Sequence, residues 1–178
     1  MANLKIIFTG PVGAGKTTAI STISDGNVIL TDANASDVVK DKKSKTTVAM
    51  DYGTVRLEGG ECIHLYGTPG QERFDFMWDI LTKGGIGLVL LLDNTRNSPF
   101  QDMKFFLGQF KNFIERTQVI IGVTQMDRKA APCIENYHKH LNKLGLNVPV
   151  FEVDARNKQD VSMLVKGLLY SLDPCIAE

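Results

Sequence analysis

The chain has 178 residues, of which 43% are hydrophobic and 22% are charged, and this size and balance predict a single globular domain over 1–178 with a sizeable core. The charges of its 20 basic and 20 acidic side chains cancel to a formal net charge of zero, which argues against nucleic-acid or acidic-membrane binding. The three cysteines have neither metal-ligand spacing nor an even disulfide framework, so a cytoplasmic location is expected.

The first predicted element is the apolar run 4–8, which has the length of a buried parallel strand. It leads into GPVGAGKT, which fits the phosphate-binding pattern G-x-x-x-x-G-K-[ST] at every fixed position. Backbone N–H groups and the positive end of the following helix would face the anion, Lys16 would reach the β- and γ-phosphates, and Thr17 would ligate Mg²⁺. A glycine-rich turn with a chance lysine is the alternative. The nucleotide contacts predicted here are Gly10, Val12, Gly13, Ala14, Gly15, Lys16, Thr17 and Thr18.

The loop opens a helix that is predicted over 15–23. The lysine-rich polar segment 27–45 that follows is predicted to be a solvated loop. Two strand-like runs, 48–57 and 62–66, are separated by a very short link. Because a parallel crossover needs a longer connection, the two runs must pair as an antiparallel hairpin.

Strands and helices continue to alternate in the rest of the chain. Further strands are predicted over 85–93, 119–124 and 148–153. Helices are predicted to follow a capping box and first-turn proline at Ser98 and to extend to Ile114, to end at Gly145, and to cover 161–172. This alternation predicts an α/β fold. The longest apolar run is too short to span a membrane, and the last four residues match a prenylation signal poorly, so no membrane anchor is expected.

The order of these motifs resembles the Ras-like small GTPases over essentially the whole chain. The resemblance implies a three-layer P-loop G domain, with a mostly parallel six-stranded sheet, one antiparallel strand and helices on both faces. KTTVAMDYG resembles the switch I threonine followed by the second strand. It implies that Thr47, or Thr46 as the fallback, completes Mg²⁺ coordination. Ordinary β-propensity at a strand start is the alternative explanation.

The segment YGTPGQERF resembles the W-D-T-A-G-Q-E-R-F segment of the family. The resemblance implies that Gly70 offers its backbone N–H to the γ-phosphate and that Gln71 orients the attacking water. Gln71, Lys16 and Thr47 are therefore the expected catalytic residues. A polar turn between a strand and a helix is the alternative.

Guanine recognition is expected after the last two strands. Thr124-Gln125-Met126-Asp127 resembles N-K-x-D, which implies that Asp127 accepts two hydrogen bonds from guanine. Asp127 could instead cap the next helix. Asp154-Ala155-Arg156 lies where the family has S-A-K, so the Ala155 N–H would meet the guanine O6. The predicted base contacts are Thr124, Gln125, Asp127, Ala155 and Arg156.

Several positions depart from the family pattern. Val12 replaces a glycine and is expected to slow hydrolysis by crowding the glutamine. Gln125 replaces a lysine whose stem would lie over the base, which predicts weak affinity. Gly67 and Pro69 make the chain resemble bacterial gliding-motility and polarity GTPases, which implies a small roadblock-type partner protein.

Gly67 also lies where P-loop proteins usually have the aspartate that holds Mg²⁺ through water. We therefore expect weak Mg²⁺ dependence of GDP binding, with Asp93 or Asp51 as candidates for a substitute carboxylate. Two other functions stay open. One is an ATPase or kinase whose Walker B residue is Asp93, and the other is a nucleotide-bound scaffold that does not hydrolyse.

Overall fold

A computed structural model of the chain describes residues 4–29, 50–57, 59–69 and 75–172. The strands are β1 (Leu4–Thr9), β2 (Asp51–Arg56), β3 (Cys62–Gly67), β4 (Gly87–Asp93), β5 (Gln118–Thr124) and β6 (Val150–Glu152). They form one sheet in the order β2-β3-β1-β4-β5-β6. β2 is antiparallel to β3 and the other neighbours are parallel. This confirms the predicted mixed sheet and its hairpin.

Helices cover both faces of this sheet. They are α1 (Lys16–Ile23), α2 (Asp75–Thr82), α3 (Pro99–Gln109), α4 (Lys111–Ile114), α5 (Ile134–Lys143) and α6 (Lys158–Leu172). α1 and α6 contribute to one hydrophobic core, and α2, α3, α4 and α5 contribute to the other. In the part of the chain that the structure describes, no helix is both long enough and apolar enough to cross a membrane.

The central strands are buried on both faces because their side chains alternate between the two cores. In β1, Ile6 and Phe8 pack with α1 and α6, whereas Ile7 packs on the opposite side. β4 is buried along its whole length. Because these strands are packed on both faces, they fix the positions of the loops that follow their carboxyl ends.

The helix predicted from Ser98 to Ile114 differs from the structure in two ways. It is interrupted at Phe110, which separates α3 from α4. The capping-box prediction is wrong, because Ser98 has φ −139° and ψ 63° and its side chain makes no cap hydrogen bond. A capping box forms at α5 instead, where Cys133 and Asn136 are its two members.

Candidate nucleotide-binding site

A pocket lies at the carboxyl ends of the parallel strands, where open α/β sheets bind ligands. The loops after β1, β5 and β6 form its walls. Its lining residues are Gly13, Ala14, Gly15, Thr18, Thr124, Gln125, Asp127, Arg128, Asp154, Ala155 and Arg156. The structure therefore brings the predicted phosphate loop and the predicted base-binding loops together. Arg128 is a further lining residue that no sequence motif indicated.

The phosphate loop has a backbone that only glycine adopts easily at two tightly packed positions. Gly10 has φ 139°, and a Cβ added there would lie 2.0 Å from the Leu91 carbonyl oxygen. Gly15 has φ 92°, and its added Cβ would lie 2.9 Å from the Ala155 Cβ. The loop therefore rests directly on β4 and on the loop after β6, so any side chain at these positions would push the walls apart.

Lys16 lies inside the curve of this loop and is only 8% exposed. Its Nζ donates hydrogen bonds to the carbonyl oxygens of Gly10, at 2.8 Å, and Pro11, at 2.7 Å. Burial lowers the pKa of Lys16 to about 8, against the opposing effect of Asp51. A cation that is both desolvated and next to the loop backbone is well placed to bind a phosphate, which would favour the charged form again.

Two side chains at the carboxyl end of β5, in the segment predicted to bind the base, contact the phosphate loop. The buried Thr124 hydroxyl lies 3.0 Å from the Ala14 carbonyl oxygen and can donate to it. Gln125 Nε2 donates to the Gly13 carbonyl oxygen at 3.1 Å. Gln125 has φ 60°, which is unusual for a residue other than glycine and points to a functional constraint. Gln125 thus links the two loops even though it lacks the stem of a lysine.

Asp127 is one of the residues that line the pocket, and 63% of its side chain is exposed. Its carboxylate lies 3.6 Å from the Arg156 guanidinium, which also binds Asp154 at 2.8 Å. Hydrogen bonds from Arg156 lower the pKa of Asp154 to about 2. The helix-cap alternative for Asp127 is wrong, because α5 begins at Ile134 with Cys133 as its N-cap. Asp127 is therefore available to a ligand in the pocket.

A carboxylate lies beside Thr17, the residue predicted to ligate Mg²⁺, although Gly67 has no side chain to provide one. The Thr17 hydroxyl donates to Asp51 Oδ2 at 2.5 Å. Asp93, the other candidate, accepts hydrogen bonds from the backbone N–H and hydroxyl of Thr95. Of the two candidates for a substitute carboxylate, Asp51 is therefore the one that lies at the Thr17 hydroxyl.

A hydroxyl and a carboxylate are oxygen donors of the kind that Mg²⁺ prefers, and Mg²⁺ usually takes its other oxygens from water and substrate phosphates. Within the described ranges, no group of three or more His, Cys, Asp or Glu side chains could hold a metal ion. The Thr17 and Asp51 pair therefore fits an ion that is bound together with a nucleotide rather than in a protein-only cage.

Some predicted residues cannot be placed. Thr46, Thr47, Gly70 and Gln71 lie outside the residues that the structure describes. Val12 is described, and it projects from the phosphate loop with 56% exposure.

The sheet order, the glycine loop after β1 and the loops that meet it define a P-loop α/β fold. The chain belongs to the Ras family, whose family model matches residues 5–172. This confirms the predicted resemblance to Ras-like proteins.

Relatives of the chain include both archaeal and eukaryotic proteins. The uncharacterized protein MJ1339 of Methanocaldococcus jannaschii is 29% identical over 99 residues, and this match covers 56% of this chain and 56% of that protein. The Ras-related protein Rab-27A of Sus scrofa is 24% identical over 181 residues, which covers 93% of this chain and 76% of the relative. The Ras-related protein Rab-1D of Dictyostelium discoideum is 24% identical over 158 residues, with 88% and 73% covered.

Proposed function

We propose that this protein is a small guanine-nucleotide switch that binds GTP and GDP with Mg²⁺ and hydrolyses GTP slowly. The observation that carries the proposal is the exposed Asp127 carboxylate, which lies in a pocket shared with the phosphate loop. Membership in the Ras family supports the same function.

Asp127 favours guanine for a simple chemical reason. A carboxylate only accepts hydrogen bonds, and guanine offers two neighbouring donors, N1–H and the exocyclic amine. Adenine presents an acceptor nitrogen at the first of these positions. A bidentate pair of this kind discriminates by about 1–3 kcal/mol, so guanine nucleotides should bind more tightly than adenine nucleotides.

The phosphates and Mg²⁺ would use the other half of the site. Lys16 would neutralise the β- and γ-phosphates, and Thr17 would ligate the ion, with Thr47 joining it in the triphosphate state. Gln71 would orient the attacking water. The exposed Val12 side chain projects from the loop that surrounds the phosphates, where it would crowd both Gln71 and an arginine supplied by a partner. Hydrolysis would therefore be slow.

The ATPase or kinase alternative has less support. It requires Asp93 to act at the metal, but the Asp93 carboxylate bonds to Thr95 at the end of its own strand, and Asp51 lies at Thr17 instead. A scaffold that never hydrolyses remains the second candidate and differs by its lack of phosphate release. A bacterial polarity-type role, a cytoplasmic location and a roadblock-type regulatory partner complete the proposal.

The test of base recognition compares binding of fluorescent GDP, ADP and XDP to the parent and to Asp127→Asn. The parent should prefer GDP. An asparagine amide can donate to the carbonyl that xanthine has in place of the guanine amine, so Asp127→Asn should shift the preference from GDP to XDP. Asp79→Asn, which changes an exposed aspartate in α2, is the control and should retain the parent preference. Equal dissociation constants of the parent for GDP and ADP would contradict the guanine assignment.

A further inference from the structure

We propose that Asp51, on β2, supplies the carboxylate that supports Mg²⁺, and that it does so in place of a residue at position 67 on β3. This inference deepens the proposed function and rests on it. Its basis is the hydrogen bond between Asp51 and the hydroxyl of Thr17, which the phosphate-loop motif predicts to be a Mg²⁺ ligand.

The register of the β2–β3 hairpin places Asp51 directly opposite position 67. Asp51 pairs with Gly67 across the antiparallel strands β2 and β3, and side chains of directly opposed residues lie on the same face of a sheet. A Cβ added at Gly67 would lie 3.0 Å from the Asp51 Cβ and 3.2 Å from Asp51 Oδ2. The side chain of Asp51 therefore fills the space that a side chain at position 67 would need.

Asp51 also contacts α1, through the hydroxyl of Thr17. Asp51 Oδ2 accepts the Thr17 hydroxyl hydrogen at 2.5 Å. A hydroxyl has one hydrogen and two acceptor lone pairs. Because Asp51 takes the hydrogen, the lone pairs of Thr17 remain available to a cation. Asp51 thus orients the hydroxyl for coordination, and its carboxylate can also accept hydrogen bonds from the waters that Mg²⁺ retains.

Gly67 has no side chain that could compete with Asp51 for the space beside Thr17. A carboxylate at that position would meet both Asp51 and the Ile20 Cδ1, which would lie 3.0 Å from the added Cβ. Glycine at 67 and aspartate at 51 are therefore complementary. The carboxylate beside Thr17 therefore comes from β2 and not from β3.

The consequence is that Mg²⁺ should slow GDP release strongly, contrary to the expectation based on Gly67 alone. Asp51 would act as a positioning residue for the ion. Removal of such supporting groups typically lowers metal affinity about 10- to 100-fold.

The test measures release of fluorescent GDP from the full chain as a function of Mg²⁺ concentration and after addition of EDTA. In the parent, EDTA should accelerate GDP release relative to saturating Mg²⁺. In Asp51→Asn, which keeps the shape and removes the charge, the Mg²⁺ concentration for half-maximal slowing should rise about 10- to 100-fold. Glu115→Gln removes an exposed acid between α4 and the amino end of β5, away from the carboxyl ends of the strands, and should behave as the parent does.

A second variant exchanges the two positions. Asp51→Gly combined with Gly67→Asp moves the carboxylate to β3 and empties the space that a Cβ at position 67 requires. This double variant should recover most of the Mg²⁺ dependence that Asp51→Gly alone loses, which a merely structural role of Asp51 would not predict. If the exchanged protein does not fold, Asp51→Asn decides the question by itself.

Two results would overturn the assignment. One is an Asp51→Asn protein with the parent melting temperature and the parent response to Mg²⁺. The other is a parent protein whose GDP release does not respond to EDTA. The first leaves the proposed function intact, and the second leaves guanine-nucleotide binding and GTP hydrolysis intact while it removes the Mg²⁺ dependence of GDP binding. Failure of the parent to bind GDP at all would instead overturn the proposed function, and the assignment of Asp51 with it.

Discussion

Lys16 is a buried cation whose charge should make stability depend on pH. Burial lowers its pKa in the folded protein to about 8, whereas the unfolded chain keeps the ordinary value near 10.5. Between these values the unfolded state binds more protons, so the free energy of unfolding should increase with pH by at most about 1.4 kcal/mol per pH unit. Below pH 8 the full cost of burying the charge is present.

Chemical denaturation of the nucleotide-free protein between pH 7 and pH 10.5 checks this expectation. Lys16→Met should remove the increase, whereas Lys166→Met, which alters an exposed lysine of α6, should keep it. Saturating GDP should also remove it, because the phosphates favour the ammonium form. An identical pH dependence in the parent and in Lys16→Met would show that Lys16 is not the titrating group.

Gln125 contacts the phosphate loop but has a shorter side chain than the lysine of the family pattern. Its amide reaches the Gly13 carbonyl oxygen, but it lacks the long stem that would cover the base. Gln125→Lys should therefore tighten GDP binding about tenfold, which corresponds to burial of roughly two additional methylene groups. Calorimetric titration with GDP measures the change, and Gln159→Lys, on the exposed surface of α6, is the matched control. An unchanged or weaker affinity would mean that the stem does not reach the base.

At the scale of elements, the end of α5 shows how one glycine terminates a helix. Gly145 has φ 69° and its N–H donates to the Asn142 carbonyl oxygen, while the Leu146 N–H donates to the Leu141 carbonyl oxygen. This pattern is a Schellman motif, which requires a left-handed residue. The sequence prediction that α5 ends at Gly145 is therefore confirmed together with its physical reason.

Two glycine substitutions should have opposite effects on stability. A Cβ at Gly145 would meet nothing within 4 Å, so Gly145→Ala should destabilise the protein by about 1 kcal/mol through its left-handed backbone alone. Gly108 lies within α3 and is equally open, and there alanine should stabilise the helix by about 0.5–1 kcal/mol. Urea unfolding of both variants measures the pair, and changes of the same sign would contradict the argument.

The elements that the sequence predicted well are those with strong local signals. The apolar runs of β1, β4 and β5 and the helical spacing of α6 gave their positions to within a few residues. The break at Phe110 was not predictable in this way, because the apolar spacing continues through it. There the Phe110 ring stacks on Trp78 of α2, with ring centroids 5.2 Å apart, and this contact between distant segments has no local sequence signal.

At the scale of the whole molecule, the short hairpin link predicted the antiparallel pairing of β2 with β3, and the alternation of elements predicted the rest of the described sheet. The loops that are predicted to bind the base could be placed because their motifs follow predicted strands. Asp51 could only be proposed as one of two candidates. Its position depends on the register that opposes residues 51 and 67 and on the packing of α1 beneath them, and neither is encoded by a local pattern.

Phosphate release by the purified protein shows most directly whether the whole molecule acts as a guanine-nucleotide switch. Purified protein with saturating GTP or ATP and Mg²⁺ should release phosphate from GTP at or below about 10⁻⁴ per second and from ATP not above the background of the buffer. Gln71→Leu should lose most of the GTP hydrolysis while binding GTP nearly as the parent does, because the glutamine acts only in the transition state. Phosphate release from ATP at an equal or higher rate, or none from GTP above background, would contradict the account of this protein as a guanine-nucleotide switch.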